Sequence, residues 1–420
     1  MRVAMISRSD ESVGGASRAA HLLATSLRNL GCDVDEWIIY QQDKHSVGCR
    51  LVFGGVFNKH IPYLTNIGSR LIGLPDLIGL DLIKLPKLIR TYDYDLIHFH
   101  DTVTAISPIT ILRAARMKPT VVTLHDCSAF TAGCIYPDSC NNYITGCCHC
   151  PQIRTWPMNS QGFDFSGLLQ LVKRKIHAYV DISVIAPSAW IRQKAIESGV
   201  FPKEPELIPY GVSIDTIRPL DKGAIRNVLG LPIGKPIIAF AATHVDDSRK
   251  GFIFALEAVR KYQSAENAVI LLAIGHPPRD MATWNIDGLD CRFVGFIHDI
   301  RLLGQFFAAA DVFLFPTLHD NLPFVVLENM AAGTPTVGFR TGGVPEMILH
   351  GQTGYVAEQG NVEGLVRGLK DALHDGKVEE WSSASRRRAE QLYSLENHAR
   401  THLRLYQSLI MNTGCNKKSS

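Results

Sequence analysis

No stretch of this 420-residue chain approaches the roughly 18 uninterrupted apolar residues that cross a bilayer. The nearest candidate, Ile67 to Ile89, is broken by Arg70, Asp76, Asp81, Lys84 and Lys87, so no membrane span is expected. At the amino terminus, MRVAMISRSDESVGG offers only Val3 to Ile6 before Ser7, Arg8 and Asp10. That is too short for a signal-peptide core, and the expectation is a cytoplasmic protein starting here. Charge of one sign is equally scarce. The 43 basic and 40 acidic side chains leave a net charge of +3 with no long Lys/Arg run, so there is no electrostatic footprint for nucleic acid. Solenoid repeats are absent, as are the GxGxxG and Walker glycine motifs.

Short aliphatic runs alternating with amphipathic stretches fill the chain, the pattern of parallel sheets with helical crossovers. The spacing predicts strands at Val3–Ser7, Val34–Tyr40, Leu96–Phe99, Val121–Leu124 and Val184–Ala186, with helices at Ala16–Leu30 and Ser188–Ser198 and Ser188 as an N-cap. The second half repeats the arrangement, with strands at Ile237–Ala241, Val269–Gly275, Arg292–Val294, Val312–Phe315 and Thr336–Gly338. Its helices are expected at Phe252–Ser264, Ile300–Ala310 and Phe324–Ala332. The fold class is therefore α/β, with two Rossmann-like doubly wound parallel-sheet domains expected to face a central cleft.

Residues 1–208 form the first expected domain, with a Cys-rich insertion at 127–151, and residues 209–385 form the second. Glu206–Leu220 reads as an extended connector punctuated by Pro209, Gly211 and Pro219. Helices over 386–411 are candidates to cross back to the first domain, and 412–420 reads as a disordered tail.

Chemistry is sought in the loops at strand ends. Gly14 and Gly15 open a helix and suit either a phosphate at its amino end or a plain tight turn. His125 leaves a strand in TLHDCSAFTAGC, where sugar contact and a structural role are both open; the same holds for His98 and His100. Arg249 and Lys250 precede a helix and would neutralise a diphosphate, or simply face solvent. The segment Pro316–Tyr355 is the most informative. It carries Asp320, a helix start near Pro323 whose Phe324 and Val325 amides suit phosphate, and Glu328 eight residues after Asp320, placed to accept vicinal hydroxyls.

The order of double-glycine loop, strand-end histidine, Lys-Gly, acid-x7-Glu and GGVPE resembles glycosyltransferase family 4, the retaining enzymes of the GT-B fold. The HDCSAFTAGC segment is similar to a branch that builds bacterial exopolysaccharides. The resemblance implies transfer of a hexosyl or deoxyhexosyl unit from a UDP- or GDP-sugar to a glycan or lipid-linked acceptor, by same-side attack and without a catalytic metal. It places Gly14 and Gly15 at the donor phosphates, His125 near the reacting carbon, Lys250 on the diphosphate, Asp320 on the sugar and Glu328 on the ribose. His244 stands where many members have arginine, with Arg249 as a substitute, and Asp320 stands where glutamate is usual. A noncatalytic nucleotide-sugar-binding protein and a glycan phosphorylase on the same fold are the alternatives; the phosphorylase lacks an evident cofactor lysine beyond Lys250.

Three further features stand apart. The DxD sequences at Asp33–Asp35 and Asp93–Asp95 border strands, where solvated or structural carboxylates are expected. Cys134, Cys140, Cys147 and Cys150 are candidates for a structural zinc site, with reduced thiols or a local disulfide as the other readings. Val56–Arg90 mixes apolar and basic residues and reads either as core helices or as a surface resting on anionic lipid at the inner face of the plasma membrane.

Overall fold

The computed structural model describes residues 1–43, 48–54, 60–77, 79–263, 268–280, 284, 286–374 and 376–416. Its chain divides into two compact units. The first comprises Met1–Pro209 with Glu396–Ser420, and the second Tyr210–Leu395.

The first unit runs β1 (Arg2–Ser9), α1 (Gly15–Asn29), β2 (Asp33–Tyr40), β3 (Cys49–Leu51), α2 (His60–Leu71), α3 (Asp81–Tyr92), β4 (Leu96–Phe99), α4 (Pro108–Ala115) and β5 (Thr120–Thr123). It continues through α5 (Asn142–Thr145), α6 (Ser166–Tyr179), β6 (Ser183–Ala186), α7 (Ala189–Ser198) and β7 (Glu206–Leu207). The strands pair in the order β3-β2-β1-β4-β5-β6-β7, every pairing parallel. Successive side chains on β1 point to opposite faces. Ala4 and Ile6 join one core with Trp37, Phe99 and Val122, while Val3 and Met5 join the other with Leu23, Leu27 and Tyr406. Ser188 caps α7 by accepting from Ile191 N–H at 3.1 Å.

The second unit contains α8 (Lys222–Val228), β8 (Ile237–His244), α9 (Phe252–Tyr262), β9 (Ile270–His276), β10 (Asp290–Gly295), α10 (Ile300–Ala309), β11 (Val312–Phe315) and α11 (Phe324–Ala331). After these come β12 (Thr336–Phe339), α12 (Val344–Met347), β13 (Gly354–Ala357), α13 (Val362–Leu373) and α14 (Val378–Leu392). Its sheet has the order β10-β9-β8-β11-β12-β13 and is parallel throughout. Arg226 is buried and anchors the sheet's base. Its Nη2 lies 2.6 Å from Asp311 Oδ2, which also accepts from Ile237 N–H at 2.7 Å.

The last helix, α15 (Leu395–Asn416), belongs to the first unit from Glu396 onward. Three expectations are corrected here. The return begins at Glu396, since α14 belongs to the second unit. Residues 412–416 continue α15 instead of forming a disordered tail; 417–420 lie outside the described residues. Glu206–Leu220 is no free connector: Glu206 and Leu207 pair with β6, Val212 N–H donates to Tyr393 O at 2.7 Å, and Arg386 donates to the carbonyls of Ile214 and Ile217. The extended backbone supplied donors and acceptors that neighbouring elements satisfy.

Of the paired DxD carboxylates, Asp35 is buried, whereas Asp33 and Asp93 are largely solvated. Arg2 reaches Asp33 and Asp35 at 3.2 Å each, Tyr94 OH donates to Asp35 at 2.7 Å, and Lys118 holds Asp93. Among the described residues no helix is long and apolar enough to cross a membrane. Residues 56–59 and 78 of the Val56–Arg90 segment lie outside those described.

Candidate functional site

In the second unit, three strand-end loops converge. After β8, Asp247 accepts from Arg249 N–H and caps the short turn Ser248–Lys250. Its carboxylate also takes the Arg249 guanidinium, with Nη2 at 2.7 Å. Arg249 is thus forked onto its neighbour, and Lys250 is the cation turned across the loops. Gly251 has φ +75°, and a Cβ there would stand 2.0 Å from Pro316 O. This close approach lets Leu318 N–H donate to Arg249 O at 2.7 Å. Lys250 Nζ then reaches Asp320 Oδ2 at 2.6 Å, both side chains largely withdrawn from solvent.

The loop carrying Asp320 is fixed from its other side. Gly342 has φ +53°, and a Cβ would fall 1.6 Å from Asp320 O, while Gly343 N–H donates to Asn321 O at 2.8 Å. No side chain fits that contact. Immediately beyond, Pro323 caps α11, and Val326 and Leu327 N–H donate to its carbonyl. The amides of Phe324 and Val325 precede those bonds, at the positive end of the helix. Phe324 is oriented by stacking on Tyr210, the ring centroids 5.0 Å apart and the planes 10° from parallel. Glu328 follows one turn later and is fully buried. An ammonium, a carboxylate and a helix amino terminus so arranged suit a ligand bearing both phosphate and hydroxyl groups. His244 is exposed at the end of β8, its ring stacked 5.0 Å from that of His276.

In the first unit, β4 and β5 deliver a chain of imidazoles. His98 Nε2 lies 2.8 Å from Thr123 Oγ1, and its Nδ1 lies 2.5 Å from Tyr406 OH and 3.2 Å from His100 Nε2. His100 Nδ1 is 3.0 Å from His125 Nε2. From α15, His402 stacks 5.8 Å from His98, and His398 Nδ1 lies 2.6 Å from Pro209 O. Burial drives the pKa of His125 down to about 3 and that of His398 to about 4, and pushes His98, His100 and His402 well below the usual value. His125 is therefore a neutral imidazole, suited to hydrogen bonding. His398, His402 and Tyr406 were missed in the sequence. Their signal was the i, i+4, i+8 spacing on one helix face.

Gly14 caps α1 with extended backbone, and nothing lies within 4 Å of where its Cβ would be. Both Gly14 and Gly15 are exposed, leaving open space before the helix. The four cysteines proposed for zinc lie near enough for their thiols to act on one another electrostatically. Among the described residues the His, Cys, Asp and Glu ligand atoms that lie together in a group of three, within 4.8 Å, are those of Glu11, His21 and Cys49. No three of the Cys134, Cys140, Cys147 and Cys150 sulfur atoms form such a group among the described residues.

Comparisons with known proteins agree on one family. Residues 13–216 match the model described as Glycosyltransferase Family 4, and residues 235–375 the model described as Glycosyl transferases group 1. Sulfoquinovosyl transferase SQD2 of Arabidopsis thaliana is 27% identical over 66% of this chain, which spans only 54% of that relative. Sucrose-phosphate synthase from Thermosynechococcus elongatus superposes with a TM-score of 0.71 at 19% identity, covering 98% of this chain and 99% of that one. Anabaena HepE, solved in complex with UDP and glucose, gives a TM-score of 0.69 at 16% identity over 97% and 100%. With two parallel-sheet, Rossmann-like units of the GT-B class and both family models matched in order, the chain belongs to the family 4 type of glycosyltransferases.

Proposed function

We propose that the protein is a retaining hexosyltransferase that moves a hexosyl or deoxyhexosyl unit from a nucleotide-diphosphate sugar to a glycan or lipid-linked acceptor. The observation that carries this reading is the Lys250–Asp320 pair at 2.6 Å, locked by two backbone contacts beside the amino terminus of α11 with Glu328 on the same helix. HepE, of like fold, holds UDP and glucose.

An ammonium has three donors. Asp320 takes one, and the others suit a diphosphate. As the bond from the anomeric carbon to the phosphate oxygen breaks, charge grows on the leaving diphosphate, where Lys250 and the Phe324 and Val325 amides stabilise it. The acceptor hydroxyl forms the new bond from the same side and passes its proton to a leaving-phosphate oxygen, which preserves configuration without a protein base. Asp320 orients the transferred sugar and Glu328 the ribose. The same reading assigns His125, as a neutral donor, to the sugar and Gly14 and Gly15 to the phosphates. A lipid-linked acceptor agrees with exposed Leu71, Ile72, Phe163, Phe165 and Leu168, the Gly73 backbone lying against Phe163 and Phe165.

A thermal-shift screen of UDP-, GDP- and ADP-sugars, followed by turnover with the stabilising donor, tests the proposal. A donor at 100 times its Kd should stabilise the fold by about 2.7 kcal/mol. Retained anomeric configuration in the product and loss of turnover in folded Glu328→Gln would support it. Binding without turnover on any glycan or lipid-linked acceptor would favour a noncatalytic binder, and phosphate-dependent glycan cleavage a phosphorylase.

A further inference from the structure

Away from the loops considered above, four segments of the first unit bring unlike metal-binding groups to one point. Glu36 on β2 and Cys49 on β3 are direct neighbours across the parallel pairing, so both side chains emerge on the same face of the sheet. Helix α1 packs on that face and contributes His21, and the short turn Glu11–Val13 ahead of α1 contributes Glu11. His21 Nδ1 lies 3.1 Å from Glu36 Oε2 and 3.7 Å from Glu11 Oε2. Cys49 Sγ lies 4.0 Å from the same Glu36 oxygen. The ligand atoms of Glu11, His21 and Cys49 are mutually within 4.8 Å.

From these positions we infer that Glu11, His21, Glu36 and Cys49 form a binding site for one zinc ion. Tetrahedral zinc with ordinary bond lengths sets its nitrogen and oxygen ligands about 3.4 Å apart and its sulfur and oxygen ligands about 3.6 Å apart. The observed 3.1, 3.7 and 4.0 Å depart from these by a few tenths of an ångström, while the full set of four is not yet within 4.8 Å, so closing on one ion also takes a larger movement of at least one side chain. One imidazole, one thiol and two carboxylates are a donor set that suits zinc over calcium or magnesium.

The surroundings support the same assignment. Arg28 Nη1 holds Glu36 Oε1 at 2.7 Å while its Nε and Nη2 donate to Val34 O. That grip fixes the Glu36 carboxylate with Oε2 turned to His21, the outer-shell orientation that metal ligands commonly show. Asp10, buried, accepts from Ser12, Gln42 and Asp43 N–H and fixes the turn that carries Glu11. Binding would clamp both flanks of the Gly14–Gly15 turn, making the site structural. It does not depend on the transfer reaction proposed above.

Cobalt(II), which reports thiolate ligation by a near-ultraviolet charge-transfer band, is the probe. The full chain, freed of metal by chelator, should take up one equivalent with a one-thiolate band that zinc bleaches. Cys49→Ser should abolish the band, Cys147→Ser should retain it, and His21→Gln should weaken binding by a hundredfold or more. Persistence of the band in Cys49→Ser, or its absence from the wild type, overturns the site. Glu11 is half-exposed, so Glu11→Gln keeps the test open if the other variants fail to fold. About tenfold weaker cobalt binding is expected, and unchanged affinity overturns the inference.

Discussion

Lys250 Nζ and Asp320 Oδ2 are 2.6 Å apart although 70 residues separate them in the chain. The pair joins the loops after β8 and β11, and each member positions the other. In Lys250→Ala the carboxylate loses its partner and the diphosphate its cation. Charge-assisted hydrogen bonds contribute about 1.5–3 kcal/mol, so donor affinity should fall roughly ten- to hundredfold, as isothermal titration would register. Lys250→Arg should recover less than the charge alone predicts, since a planar fork replaces a compact ammonium.

Gly342 and Gly14 make a contrasting pair. A Cβ on Gly342 meets Asp320 O at 1.6 Å in a left-handed conformation, whereas one on Gly14 meets nothing within 4 Å. Gly342→Ala should therefore destabilise the second unit by about 2 kcal/mol or more and displace Asp320. Gly14→Ala should melt with the wild type. Calorimetric scans of the two variants side by side check this, and equal melting temperatures would contradict the close approach.

The histidine chain of the first unit imposes a pH dependence. Unfolded, these residues titrate near 6.5, but burial lowers His125 to about 3 and His398 to about 4. Protons therefore bind the unfolded chain first as pH falls. The stabilisation is complete above about pH 6.5 and is lost progressively toward pH 4, each histidine contributing at most about 1.4 kcal/mol per pH unit. Urea midpoints at pH 7.5 and 5 should differ, and by less in His398→Gln.

Arg226 is 4% exposed and donates to Asp311, Ala309 O, Ile233 O and Lys235 O. Arg226→Met leaves Asp311 with Lys222 and the Ile237 amide alone. A loss of about 3–5 kcal/mol is expected, read as a lowered transition of the second unit in calorimetry. Because Arg226 lies at the amino end of β8, donor affinity at a temperature where the variant is folded should be unchanged.

Much of this architecture was legible along the chain. Leu96–Phe99 and Val312–Phe315 are strands as read, because a short aliphatic run between polar turns has few other ways to bury itself. The edge strands Cys49–Leu51 and Glu206–Leu207 escaped notice. They are short, partly or fully exposed, and defined by pairing to β2 and β6, not by any pattern of their own. The loop residues Lys250, Asp320 and Glu328 could be named from motif spacing, as glycines and charges at strand ends are local features. Their partners could not. Arg249 turns back to Asp247 within one capped turn, but that Lys250 reaches Asp320, that α15 carries His398, His402 and Tyr406 to His98, and that Glu36 faces Cys49 follow from parallel register, loop contacts and helix packing. Apart from the local Arg249–Asp247 turn, those relationships join residues from 13 to 308 positions apart, and only the closed backbone determines which of many such charges and rings come within bonding distance.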